Sequence, residues 1–378
     1  MTQRFTVDGS VELETQLKQW CAAFTREVLA VIPAKLVDAI VLGGGYGRGE
    51  GGVLNTDGSE RAYNDLEFYV FLRGPLLVRE RLFRRKLSDV CHCWSEKTGV
   101  EFEAKLLTLD KLQKAPVSMM YHDLVVGHRW LFGPTGEFEQ CEHHRAAHRI
   151  PLHEATRLLM NRASGLLFAE VLLQKAAFHS ADADFVRRNI SKAQLALGDM
   201  ALTAFGRYHA SCRERHRRLE KLDPTTAPAW VSELIAHHAA GVEFKLHPFA
   251  SNESADQLGS EHATITALAQ KVFLWLEERR LGHPFPSARE YAFSSVLKHP
   301  DTRMLRNALI NLRAFGVRSL SARYPRERLL ESLALLLWTP AALEDPDALQ
   351  RLHANLETSR NDLAGLVEAY RTIWNRFN

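Results

Sequence analysis

At 378 residues the chain is longer than one hydrophobic core usually sustains, so two domains are the expectation. Its 48 basic and 45 acidic residues leave a formal charge of +3, too small an imbalance to mark a nucleic-acid binder on charge alone. No apolar run approaches the roughly 20 residues that span a bilayer, the opening MTQRFTVDGSVELET lacks the build of a signal peptide, and the five cysteines are irregularly spaced, so a soluble cytoplasmic protein with free thiols is expected.

Residues 11–32, VELETQLKQWCAAFTREVLAVI, carry apolar side chains at three- and four-residue spacing and predict an amphipathic helix closed by Pro33. LVDAIVLGG (36–44) predicts a buried strand feeding a turn. That turn, LGGGYGRGEGG (42–52), is glycine-dense around Arg48 and Glu50. Glycine is permissive but costly to order, so backbone here is expected to approach something closely. DLEFYVFL (65–72) predicts a second strand, residues 78–96 a helix, GVEFEAKLLTL (99–109) a third strand and HRWLFG (128–133) a last short one. From Ile150 onward strand signals nearly vanish. Periodic segments at 151–179, 186–221, 228–246, 260–281, 302–315, 325–338, 346–357 and 360–377, punctuated by DPTTAP and HPFPS, predict a helical bundle. The expected fold is an α+β N-terminal domain (1–140), a mixed sheet flanked by helices, followed by an all-α helical-bundle domain (141–378).

Asp65 and Glu67 lie two residues apart on a strand and therefore share a face, with Leu66 and Phe68 turned into the core. Two carboxylates so placed suit one or two Mg²⁺ ions, which prefer hard oxygen ligands. Gly44 and Gly45 follow an apolar strand and can offer backbone N–H groups to phosphate oxygens. A third carboxylate, Glu101 or Glu103 of VEFEAK, could complete the metal cage or take a proton from an acceptor hydroxyl.

With these residues in view, GGYGRGE, NDLEFYV and FEAKLLTLDKL together resemble the polymerase-beta-like nucleotidyltransferase superfamily, nearest to the aminoglycoside-nucleotidyltransferase and minimal-nucleotidyltransferase types. The resemblance covers about the first third of the chain. Gly44 and Gly45 match the family's Gly-Gly/Ser pair, and Arg48, Gly49 and Glu50 its frequent Arg-Gly-Glu. Asp65 and Glu67 match its metal-binding acids, and Glu103 the acid that serves as base or metal ligand, with Glu101 as the alternative. The resemblance implies Mg²⁺-dependent transfer of AMP from ATP to an acceptor hydroxyl, with release of pyrophosphate, in a cleft between the two domains. It also implies a nucleotide contact from Arg48, for which Glu50 is an equal partner, and a triphosphate lysine lent by the helical domain. Lys192 of NISKAQLALGDM fits that role, and fits an ordinary surface lysine as well.

Two departures from the family pattern stand out. The segment GGVLNTDGSERAY lengthens the gap between glycine turn and acids by about one hairpin turn, and the second acid is Glu where Asp is commoner. The basic run 207–222 lacks interleaved stacking aromatics and reads as the solvated end of a long helix, so the unknown acceptor is expected to be a small molecule or protein rather than nucleic acid. CEHHRAAHR (141–149) reads as a solvated polar linker. No membrane partner is expected. The rival reading is a non-catalytic nucleotide-binding or antitoxin-like module of the same fold.

Overall fold

The computed structural model describes residues 4–56, 58–136, 138–316, 321–339 and 341–377. In chain order the first elements are α1 (Val11–Val31), β1 (Val37–Leu42), α2 (Gly44–Arg48), β2 (Gly52–Thr56), β3 (Ser59–Tyr63), β4 (Asp65–Leu72), α3 (Leu76–Thr98), β5 (Glu101–Leu107), α4 (Leu109–Lys114), α5 (Met119–Val126) and β6 (Arg129–Phe132). Then follow α6 (Leu152–Leu173), α7 (Ser180–Ala204), α8 (Cys212–Glu220), α9 (Val231–Leu246), α10 (Ala255–Leu281), α11 (Ala288–Phe293), α12 (Met304–Phe315), α13 (Arg326–Trp338), α14 (Pro346–Leu356) and α15 (Leu363–Phe377). The fold is mixed α+β, with a small sheet and many helices.

Four strands form one sheet in the order β5-β4-β1-β6, and β2 and β3 form a separate hairpin. β1 runs antiparallel to β4 and β6, whereas β4 and β5 are parallel. The hairpin is the segment GGVLNTDGSERAY. Its polar strands carry little of the apolar signal by which strands are recognised. α4, α5 and α11, of six to eight residues, are also absent from the sequence pattern, being too short for a 3.6-residue period to repeat.

Each strand sends alternate side chains to opposite faces, and both faces of β4 are used. Leu66, Phe68 and Val70 enter a core with Leu17, Phe24 and Val28 of α1 and Leu87 and Trp94 of α3. Aromatic contact dominates there: the Phe24 and Phe68 ring centroids are 4.1 Å apart, and Trp94 and Phe102 5.3 Å. On the opposite face Tyr69 and Phe71 pack with Ala39, Val41, Leu112, Leu124 and Phe138. Asp65 and Glu67 share the parity of Tyr69 and Phe71, but they are only half-buried. The acids therefore emerge where the covering layer of that face thins.

The chain divides into two compact units without a single cut point. One comprises the residues up to Glu154 together with Leu202–Thr226 and Ala239–Ala250. The other comprises Ala155–Ala201, Ala227–His238 and the chain from Ser251 onward. Three pieces predicted as bundle, 141–154, 202–226 and 239–250, thus belong to the sheet-bearing unit.

Three predicted features differ locally. The 186–221 segment is not one helix: the chain breaks after α7, with Gly206 at φ +67°, and restarts at Ser211, whose hydroxyl accepts the Glu214 N–H at 3.1 Å. Arg215 of the basic run is buried, donating to the carbonyls of His209 and Ala210 at 2.8 Å, so this stretch is not a solvated helix end. Nor is 141–149 a solvated linker, because Cys141 and His144 are fully buried. The His144 Nε2–H donates to the Leu112 carbonyl at 2.8 Å, and burial lowers the pKa of its imidazole.

In the second unit α12 reverses the usual amphipathic order. Asn307 and Asn311 face inward, where Asn311 donates to the Ser321 and Arg323 carbonyls, while Leu305 is 84% exposed.

Candidate functional site

The site is built on the end of β1, the glycine turn, and the adjoining strands β4 and β5. Asn64, at φ +69°, turns the chain out of the hairpin into Asp65; asparagine is among the few residues that take this left-handed conformation readily. The parallel register then sets Asp65 opposite Glu101 and Glu67 opposite Glu103. Four carboxylates from two neighbouring strands accordingly share one sheet face. The edge of β5 opens onto a hollow of about 580 Å³ lined in part by Glu80, Arg84, Ser88, Glu103 and Lys105.

The glycine turn lies directly against these acids. The Gly43 N–H donates to the Glu67 carbonyl at 2.8 Å. Gly44 sits at φ +61°, and a β-carbon there would stand 2.7 Å from Glu67 Oε1. At this position glycine is required both by conformation and by the approach of the carboxylate. Gly45 is needed for another reason: a β-carbon there would stand 2.9 Å from the Glu50 carbonyl oxygen. Gly44→Ala is therefore expected to cost about 1–3 kcal/mol of stability and to push the Glu67 carboxylate aside. Urea unfolding together with nucleotide calorimetry checks both effects; a variant of unchanged stability would contradict the strain.

Arg48 and Glu50 do not pair with each other. Arg48 is nearly buried, with Nη1 3.5 Å from Asp123 Oδ2 on α5. In this position it faces α5, and contact with a phosphate would require it to leave Asp123. Burial raises the Asp123 carboxyl pKa, although Arg48 and Arg215 oppose the shift. The Glu50 carboxylate accepts the Ser211 hydroxyl at 2.6 Å and the Cys212 N–H at 2.8 Å, capping the start of α8. The Arg-Gly-Glu segment thereby ties the turn to α5 on one side and α8 on the other.

Glu50 yields a pH prediction. Burial pushes its carboxyl pKa up, but the hydrogen bonds from Ser211 and Cys212, with the Lys245 charge, outweigh this and leave it below its ordinary value. A depressed acid stabilises the fold above its unfolded pKa, and that stabilisation is lost as the pH falls through the folded value. Glu50→Gln should thus cost about 1.5–3 kcal/mol at neutral pH, with the gap to wild type closing in acid. Urea unfolding of both proteins across the acid range measures it, and a gap that widens in acid would refute the cap.

Lys105, two residues beyond Glu103, shares the acid face, a position that the alternation of the strand already implies. Its Nζ lies 3.6 Å from Glu67 Oε2 and 3.5 Å from Glu103 Oε2. The Tyr69 hydroxyl donates to the same Glu67 oxygen at 3.0 Å. Burial raises the Asp65 carboxyl pKa, as do the negative charges of Glu67 and Glu103, against a partly compensating Lys105.

Among the described residues no three Asp, Glu, His or Cys side chains converge closely enough to form a metal-holding group. The donor chemistry still suits Mg²⁺: hard, half-buried carboxylate oxygens, with the Asp65 charge disfavoured by burial and then by its acidic neighbours, which a cation would offset. Lys192 belongs to the second unit, on α7, where its side chain is exposed. Asp199, farther along that helix, is buried beside His238 at 3.4 Å.

Compared with protein-family models, curated proteins and solved structures, the chain matches none.

Proposed function

We propose that the face carrying Asp65, Glu67 and Glu103 is the active site of a Mg²⁺-dependent nucleotidyltransferase that moves a nucleoside monophosphate, AMP from ATP, to an acceptor hydroxyl. The observation that carries this reading is the parallel register of β4 and β5 beside a left-handed glycine. It gathers acids from two strands against a turn that has no side chain to obstruct a ligand.

Asp65 and Glu67 hold the metal–triphosphate complex. Magnesium, when bound, supplies neutralisation of the triphosphate charge. The backbone N–H groups at Gly44 and Gly45 receive phosphate oxygens. Glu103 takes the proton of the acceptor hydroxyl as its oxygen bonds to the α-phosphorus. The bond from that phosphorus to the α–β bridging oxygen breaks, and pyrophosphate leaves with the electron pair. The test is incubation with labelled ATP, GTP, CTP and UTP, Mg²⁺ and candidate small-molecule and protein acceptors, scored for pyrophosphate. Release with at least one triphosphate supports the reading, and release with none counts against it.

One observation favours a second reading. The Lys105 ammonium stands between Glu67 and Glu103, as it would in a non-catalytic module that binds nucleotide without turning it over. Nucleotide binding with no pyrophosphate from any acceptor would be its signature.

A further inference from the structure

Lys105 is opposite Tyr69 in the β4–β5 register, so it rises from the sheet on the side of the acids. Its ammonium approaches one oxygen of Glu67 and one of Glu103 at nearly equal distances, 3.6 and 3.5 Å, and lies 5.7 Å from the Tyr69 ring centroid. Asp65, Glu67 and Glu103 bring three negative charges to neighbouring strands, and like charges placed side by side on a sheet destabilise it. One ammonium leaves these three carboxylates two charges short of neutrality, with Glu101, one pleat away on the same face, exposed to solvent. A divalent ion would supply that difference, but it needs the oxygens that Lys105 holds. The lysine is well suited to yield them: its side chain is 46% exposed, on a flexible four-carbon stem.

We propose that Lys105 is the built-in counter-ion of this site. It bridges Glu67 and Glu103 when no metal is present and is displaced when a divalent cation arrives with the triphosphate. The inference rests on the reading of these acids as metal ligands. It adds that the free site resists divalent ions, so that metal enters as the nucleotide complex and not ahead of it. Lys105 is in this sense a positioning residue, keeping two carboxylates in place between turnovers.

The probe is Mn²⁺ alone, its free fraction read by electron paramagnetic resonance against wild type, Lys105→Met and Lys105→Arg. Lys105→Met is expected to bind Mn²⁺ at least about tenfold tighter than wild type, since a unit charge some 4 Å from the ligand oxygens has been removed. Lys105→Arg, which keeps the charge, should stay near wild type. If Lys105→Met unfolds for want of its cation, refolding on addition of Mn²⁺ supports the proposal, and failure to refold overturns it. A folded Lys105→Met that binds Mn²⁺ no more tightly than wild type also overturns it. Wild-type protein with Mn²⁺ and ATP together separates the two readings. If that complex forms while Lys105→Met shows no gain, the counter-ion is refuted and the metal site stands. If neither protein binds Mn²⁺ with or without ATP, the metal site itself has failed and the counter-ion with it.

Discussion

Asp65→Asn is expected to abolish Mg²⁺-dependent nucleotide affinity while leaving the fold intact. Asp65 opens β4, half-buried, and its charge is opposed first by burial and then by Glu67 and Glu103. A carboxyl whose folded pKa is raised costs stability above its unfolded pKa, and the cost vanishes in acid where the group is protonated in both states. Removing the charge should therefore leave the melting temperature at neutral pH unchanged or slightly raised. The same substitution removes a hard oxygen anion from the proposed metal set, which amide oxygen replaces poorly. Titration calorimetry with ATP, with and without Mg²⁺, separates the outcomes. If Asp65→Asn binds Mg²⁺–ATP as wild type does, the metal does not sit there.

Glu103→Gln is expected to cut turnover at least about a hundredfold, with nucleotide affinity changing far less. An interaction made mainly in the transition state lowers kcat and spares ground-state binding. Glu101→Gln should be mild. The register alone does not choose between them, since Glu101 lies opposite Asp65 and Glu103 opposite Glu67. Electrostatics favours Glu103. Its charge is one that Asp65 feels, and it shares the Lys105 ammonium with Glu67, whereas Glu101 is exposed. Pyrophosphate release by both variants decides the matter. A dead Glu101→Gln beside a normal Glu103→Gln would shift the catalytic acid by one pleat, and two normal variants would remove the acid mechanism.

Much of this site was legible because its logic is local. Acids two residues apart on an apolar strand must share a face, and the strand at 65–72 has the bounds its apolar run predicts. Lys105 was equally open to that reasoning, being two residues beyond Glu103. Its ion pair with Glu67 depends, however, on the parallel pairing of β4 with β5, which no local pattern encodes. Glu50 shows the limit more sharply. Its partners Ser211 and Cys212 lie about 160 residues away in sequence, so neither its capping role nor the membership of Leu202–Thr226 in the first unit has a local signature. α12 misleads as well. Its periodic apolar stripe reads as an ordinary amphipathic helix, but Asn307 and Asn311 face inward and donate to the Ser321, Ala322 and Arg323 carbonyls, contacts that no local pattern encodes.

The most direct test of the acid face as an active site is Mg²⁺-dependent pyrophosphate release by wild type, Asp65→Asn and Glu103→Gln, measured side by side with one triphosphate and one acceptor. The account predicts release by wild type that stops when Mg²⁺ is chelated, and that both substitutions suppress while circular dichroism shows them folded. Release that persists in Asp65→Asn and Glu103→Gln at the wild-type rate would contradict it, because the chemistry would then be taking place elsewhere on the protein.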